Sequence, residues 1–222
     1  IPPVVTEWGD EPAGVADGVT PTAMGQGTPV TLGALSDYDR WVEANVVRGA
    51  ANGTVSAYAW CELGDVTSGQ FRAVASIIRE FDVDVRVTNR QNLVLRDLSE
   101  EQLPALSARL VAADMARPGA ELSRDVVACP GADTCNLAVT QSRGLASAIG
   151  AALDEAGLAE VGGLRVNISG CTNSCGQHHT SDIGFFGAER RAHGQSAPGY
   201  QMLLGGYVGQ EQIHFGKKAL RL

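Results

Sequence analysis

The feature that most constrains this chain is the placement of its thiols. Of five cysteines, Cys61 stands alone. The other four form two close pairs, Cys129-x5-Cys135 in "ACPGADTC" and Cys171-x3-Cys175 in "SGCTNSCGQHH". A chain of 222 residues can bury enough core to fold without cross-links. Ile1 to Val30 holds no secretory apolar segment. In such a chain, paired cysteines more often hold metal than bridge one another.

Spacing narrows the choice of group. Zinc knuckles set ligand pairs about two to four residues apart, so that a tight turn aims both thiolates at one tetrahedral ion. The x3 pair fits that rule, and the x5 pair is too open for it. A [4Fe–4S] cubane presents irons at separate corners and accepts wider, unequal spacings. Pro130 directly follows Cys129, and Gly131, Gly170 and Gly176 surround the pairs. Such glycines let backbone N–H groups approach sulfur, which offsets the cost of burying an anionic cluster. A cubane is therefore the leading reading and a zinc staple the second. A disulfide across Cys171 and Cys175 would leave the other pair unexplained, and nothing singles out one thiol as a nucleophile.

Composition bounds the rest. The chain is 44% apolar and 19% charged, which suits a globular protein, and its net charge of -8 argues against a nucleic-acid partner. No apolar run reaches the roughly 20 residues that span a bilayer, so no membrane role and a cytoplasmic location are expected. The sequence opens on Ile1 rather than Met, and is expected to be a fragment of a longer chain.

Residues 1–32 carry Pro2, Pro3, Pro12, Pro21 and Pro29 without a sustained period, and read as a linker or extended arm. In residues 33–118, "DYDRWVEANVV" predicts a helix burying Trp41 and Val42, and "TVSAYAWCEL" a strand. Thr67 and Gln70 form a capping box before a helix with Phe71, Val74, Ala75 and Ile78 on one face. "VDVRVTNRQNLVLRDL" reads as one long strand or two short ones. Ser99 and Gln102 make a second box, before Leu103, Leu106 and Leu110. That order is what half of a split βαβ sheet looks like, without establishing that fold by itself. In residues 119–222, "RDVVAC" is a strand leading to Cys129, and "CNLAVTQSRGLASAIGAALDEAGL" is mostly helix with Leu137, Leu145, Ile149 and Leu153 inward. "GLRVNISGC" is a strand delivering Cys171; "SDIGFFG" and "GYQMLLGG" are two more. The fold class is α+β.

The cysteine motifs, with "LLGG" downstream and "GDVTSGQFRAVASIIREFDVDVRVTNRQNLVL" upstream, resemble the nitrite and sulfite reductases that carry sirohaem and [4Fe–4S]. The resemblance runs over about residues 33–206. It implies a ferredoxin-like half-domain over 33–118 and a [4Fe–4S] and sirohaem domain over 119–222. Together these make the C-terminal half of an enzyme for six-electron reduction of nitrite to ammonia or sulfite to sulfide. It implies that Cys129, Cys135, Cys171 and Cys175 ligate one cubane, and that Cys175 also bridges to the sirohaem iron. It implies an electron donor such as ferredoxin or a flavoprotein. An N-terminal half of the same enzyme would supply most basic residues that grip the anion, so no catalytic residue is assigned and the fragment is expected to be inactive alone. Thr172 stands where the family commonly has Pro. "NSCGQ" and "DIGFFG" lean toward the nitrite branch. The other readings are a [4Fe–4S] electron-transfer or scaffold module without sirohaem, and a zinc-stabilised domain.

Arg86, Thr88, Arg90, Gln91 and Asn92 match the stretch that lies against sirohaem in that family, and otherwise form a polar strand face or hairpin turn. Arg suits the carboxylates of sirohaem by bidentate pairing. Asn173 contacts cofactor or substrate, or is a turn residue tolerating positive φ. Thr134 and Asn136 donate to cluster sulfur or cap the following helix. His178 and His179 read as buried residues more than as proton donors. Arg143 pairs with a sirohaem carboxylate or sits in solvent. Cys61 reads as a small core residue. The basic tail residues Arg190, Arg191, Lys217, Lys218 and Arg221 read as solvated surface, with an acidic ferredoxin as the other reading.

Overall fold

A computed structural model describes residues 35–49, 53–192, 194–209 and 212–222. The arm expected over residues 1–32 lies outside the described residues.

Ser36 caps the first helix by accepting from Asp39 N–H, and α1 (Asp37–Asn45) turns Trp41 into the core. β1 (Val46–Arg48) follows at once and pairs antiparallel with β2 (Val55–Ala59). The capping box of Thr67 and Gln70 opens α2 (Ser68–Phe81). Its buried stripe is Val74, Ile77 and Phe81. Phe71 is 57% exposed, because the helix reaches the core only beyond its first turn. The alternating segment that follows is a hairpin of β3 (Asp84–Val87) and β4 (Leu93–Leu98), closed where Thr88 N–H donates to Asn92 O. The Ser99 and Gln102 box is present and leads through one 3₁₀ turn into α3 (Leu103–Ala112), which buries Leu103, Leu106 and Leu110. The sheet order is β1-β2-β4-β3, antiparallel throughout, and its apolar core runs from Trp41 to Met115. Cys61 is buried in that core.

One side chain staples the passage to the second unit. Buried Asn45 accepts from Gly119 and Ala120 N–H and donates to the carbonyls of Tyr58 and Arg117. Beyond it lie β5 (Val127–Ala128), β6 (Val166–Ser169) and β7 (Ile183–Ala192), mutually parallel. β8 (Gln195–Leu204) and β11 (Lys217–Arg221) add antiparallel, giving the order β11-β8-β7-β6-β5. β9 (Tyr207–Val208) and β10 (Ile213–His214) form a separate ribbon. α4 (Ser142–Glu155) crosses between β5 and β6, with Leu145 and Ile149 against Val126, Ala128, Ile168 and Phe185.

That helix begins seven residues later than its sequence suggests. The N–H groups of Val139 and Thr140 donate to Gly170 O across the neighbouring loop, so they are not available to an i−4 ladder. Leu137 consequently points outward, 70% exposed. Among the described residues, no helix is long and apolar enough to cross a membrane.

Leu110 is fully buried between α3 and the sheet core. Leu110→Ala is expected to cost about 3 kcal/mol, seen as a lower urea midpoint with an unchanged slope.

Candidate metal centre

β5 and β6 lie parallel and in register, Ala128 beside Ile168, so the residues after both strands leave the same edge of the sheet. Ligand sites favour that edge of parallel strands. Cys129 N–H extends the ladder to Ile168 O at 3.1 Å. Gly170 N–H donates to Cys129 Sγ at 3.2 Å. Ser142 Oγ–H donates to Cys129 O at 2.6 Å and lies 3.5 Å from Cys129 Sγ. All four paired cysteines are free thiols; Cys129 and Cys171 are half-buried, and Cys135 and Cys175 are exposed.

The two loops touch through backbone. Gly131 has φ +60, and a Cβ there would fall 2.3 Å from Ser142 Oγ and 2.8 Å from Thr140 O. Cys135 N–H donates to Gly131 O at 2.9 Å. Of the glycines expected to aim N–H groups at sulfur, Gly170 does so, whereas Gly176 N–H is taken by Ser169 Oγ at 3.0 Å. Among the described residues, no three His, Cys, Asp or Glu side chains gather closely enough to share a single ion. A cubane instead spreads its thiolates over separate corners, which suits two adjoining cysteine loops.

The other candidate residues divide into three groups. Arg90 and Asn92 are buried and committed to Asp125. Asn92 Nδ2–H donates to Asp125 Oδ2 at 2.9 Å, and its Oδ1 accepts from Cys61 N–H at 2.9 Å. Arg90 donates to Asp125 O and pairs with Glu121, its Nε 3.6 Å from Asp125 Oδ2. Burial pushes the Asp125 carboxyl up, against the pull of Arg90, Glu121 N–H and Asn92. Gln91 bonds both backbone groups of Ala128, the residue before Cys129. Arg86, Thr134, Asn136 and Asn173 are exposed, Arg86 beside Asp84 at 2.7 Å. Neither Thr134 nor Asn136 caps α4, whose N-cap is Gln141 with no side-chain bond. In the Cys171–Cys175 turn, positive φ falls on Ser174.

His178 is fully buried, its Nδ1 2.8 Å from Ser169 Oγ and its ring 4.9 Å from Phe186 and 4.1 Å from His179. Desolvation, then the neighbouring His179, lowers its pKa to about 4. In the basic tail, Arg190 Nη1–H donates to Arg221 O, and Lys217 and Lys218 are exposed.

Arginine pairs between the two units are absent from the sequence reading. Arg124 reaches across to Glu62 at 3.0 Å and, within its own unit, to Asp154 at 3.1 Å. Arg143 pairs with Asp65, Arg40 with Glu160, and Arg117 with Asp154. The partners lie far apart in sequence and have no helical spacing to announce them.

Residues 49–113 match the nitrite/sulfite reductase ferredoxin-like half domain, and residues 119–214 match the nitrite and sulphite reductase 4Fe-4S domain. The chain is 39% identical over 137 residues to a ferredoxin–nitrite reductase of Synechococcus elongatus, covering 62% of this chain and 26% of that protein. It is 33% identical over 162 residues to a sulfite reductase (ferredoxin) of Mycobacterium tuberculosis, covering 70% and 29%. The chain thus spans less than a third of the length of these curated relatives. The structure of the Mycobacterium tuberculosis NirA protein superposes with a TM-score of 0.65 at 31% identity, over 79% of this chain and 33% of that one. Dissimilatory sulfite reductase I shares the fold, with a TM-score of 0.61 at 9% identity.

Asp125→Ala leaves buried Arg90 with Glu121 as its remaining carboxylate and strips buried Asn92 Nδ2 and Glu121 N–H of their acceptor, and is expected to cost about 3–5 kcal/mol in urea unfolding. Arg86→Ala breaks an exposed pair and should change stability by about 0.5 kcal/mol or less. His178 gives a pH signature. Its folded pKa lies below the unfolded value, so the unfolded state takes up the proton first as pH falls. Stability should drop as pH falls from about 6.5 to about 4, by up to about 3 kcal/mol. Urea midpoints across that range should fall less steeply in His178→Gln.

Proposed function

The chain belongs to the nitrite and sulfite reductase family, and on that premise we propose that it is the part of such an enzyme that holds a [4Fe–4S] cluster beside sirohaem. A single observation carries the reading. Two cysteine loops leave adjacent parallel strands at one edge, with Gly170 N–H already on the Cys129 thiol. Cys129, Cys135, Cys171 and Cys175 would hold the cluster. When bound, cluster and sirohaem supply the electrons and the iron at which nitrite or sulfite is reduced.

This chain's own residues do the holding. Gly170 N–H is aimed at the Cys129 sulfur, where it would donate to a metal-bound thiolate. Cys175 is exposed, so its sulfur would be open to a second group as well as to the cluster. Leu137 and Val139, 70% and 40% exposed on the loop that begins at Cys135, offer an apolar surface for a flat macrocycle. Arg86 is the arginine of its stretch free to turn to a ligand carboxylate, since its exposed pair with Asp84 is weak. Arg90 and Asn92 act on the site through Asp125. Asn173, Thr134 and Asn136 stand exposed in the cysteine loops, where they would be available to a bound group.

The two units divide near residue 118, and a ferredoxin serves as electron donor; the names of the relatives support the latter. Substrate binding draws on basic residues from the remainder of the enzyme.

Anaerobic loading with iron and sulfide, followed by metal analysis and an absorption spectrum, tests this. About four irons and four sulfides with a broad violet shoulder are expected, a sharp Soret band being added when sirohaem is supplied. Cys129→Ser should take up no intact cluster. One zinc and no colour would overturn the proposal.

A further inference from the structure

Arg90, Gln91 and Asn92 are consecutive, and all three grip the short run from Asp125 to Ala128, Arg90 and Gln91 by its backbone and Asn92 by the Asp125 carboxylate. Arg90 and Asn92 hold its start at Asp125, as described above. Gln91 holds its end. Its Nε2–H donates to Ala128 O at 2.9 Å, and its Oε1 accepts from Ala128 N–H at 3.2 Å.

Within a strand, the N–H and C=O of one residue point to the same side, and the next residue points to the other. Cys129 N–H faces β6, at Ile168 O. Ala128 therefore faces away from β6, off the edge of the sheet, where β5 is the outermost strand. The Gln91 amide stands where a further strand would stand and pairs both polar groups of buried Ala128. The slot is shaped for it. A Cβ on Gly64 would fall 3.0 Å from Gln91 Cβ and 3.3 Å from its Cδ. Gln91 itself holds φ +69, with its N–H on Thr88 O.

From this geometry we infer that Gln91 is a positioning residue for Cys129. The β3–β4 turn of the first unit fixes a metal-binding loop of the second by acting as a one-residue strand. Ala128 is bonded directly to Cys129, so an edge that frays at Ala128 carries Cys129 away from Gly170 N–H. The clamp acts on the loop itself, and only its consequence for a cluster rests on the function proposed above.

The first measurement needs no metal. Alkylation of each cysteine in the metal-free full chain is followed by mass spectrometry, in the unsubstituted protein, Gln91→Leu, Gln91→Glu and Leu110→Ala. Gln91→Leu should speed Cys129 about fivefold or more relative to Cys171, as a local opening that loses the edge bonds would. Gln91→Glu keeps the acceptor for Ala128 N–H and should fall between. Leu110→Ala lowers global stability without touching the clamp, and should leave the Cys129 to Cys171 ratio unchanged. If Gln91→Leu leaves that ratio unchanged, or Leu110→Ala raises it equally, the inference fails. Should Gln91→Leu not fold, Gln91→Glu decides by the same ratio. A second measurement, on protein loaded with iron and sulfide, compares the electron paramagnetic resonance of the reduced cluster. A shifted signal in Gln91→Leu is expected. Failure of every chain, including the unsubstituted one, to take up a cluster would sink the proposed function and leave the thiol ratios to judge the clamp.

Discussion

A buried carboxylate joins the two units of this protein. Asp125 opens the run that leads to Cys129, yet most of its side-chain partners are in the first unit: Asn92 Nδ2 and the Arg90 guanidinium. An isolated charge at such a site would cost several kcal/mol, so the arrangement holds only while both partners are in place. Asn92 also accepts from Cys61 N–H, which ties the network into the first core. The Cys129 loop is thereby referenced to a packed α/β layer as well as to its own short strand.

The second unit needs that reference because β5 has only two residues and lies at the sheet edge. Its neighbours on the other side are better secured. β6 is buried along its whole length and pairs with β7 over four residues. The Cys171–Cys175 loop is held by Ser169 Oγ, which accepts from Gly176 N–H and bonds His178. One cysteine loop is thus braced within its own unit, and the other is held from both units. The arginine pairs to Glu62, Asp65 and Glu160 add a broader tie between the units. Each is partly exposed and individually worth little, but together they span the junction.

Much of the scaffold was legible in the sequence. Both capping boxes form, and the Leu103, Leu106 and Leu110 stripe is buried, because caps and helical period are local properties. Three residues depart from the expectation. Leu137 fits a helical period in sequence, but the N–H groups just beyond it bond across to Gly170, so the helix starts at Ser142. Phe71 fits a helical face whose first turn the core does not reach. Asn173 is a good candidate for positive φ, yet the turn places that strain on Ser174. In the first case a contact made elsewhere in the chain chose the conformation; in the others the local spacing does not say how far the core reaches or which turn residue takes the positive φ.

The sequence alone determined the chemistry: four thiols in two pairs at spacings that suit a cubane, one solitary buried thiol, and the glycines that let loops approach closely. Those are matters of residue type and short separation, and they survive without coordinates. The tertiary structure decided which of these residues act together. The parallel pairing of β5 with β6, the union of Arg90, Asn92 and Asp125, and the place of Gln91 on the sheet edge all join residues at least 30 positions apart. No local period encodes such pairings; they follow only once two cores have packed and the buried polar groups between them must find partners.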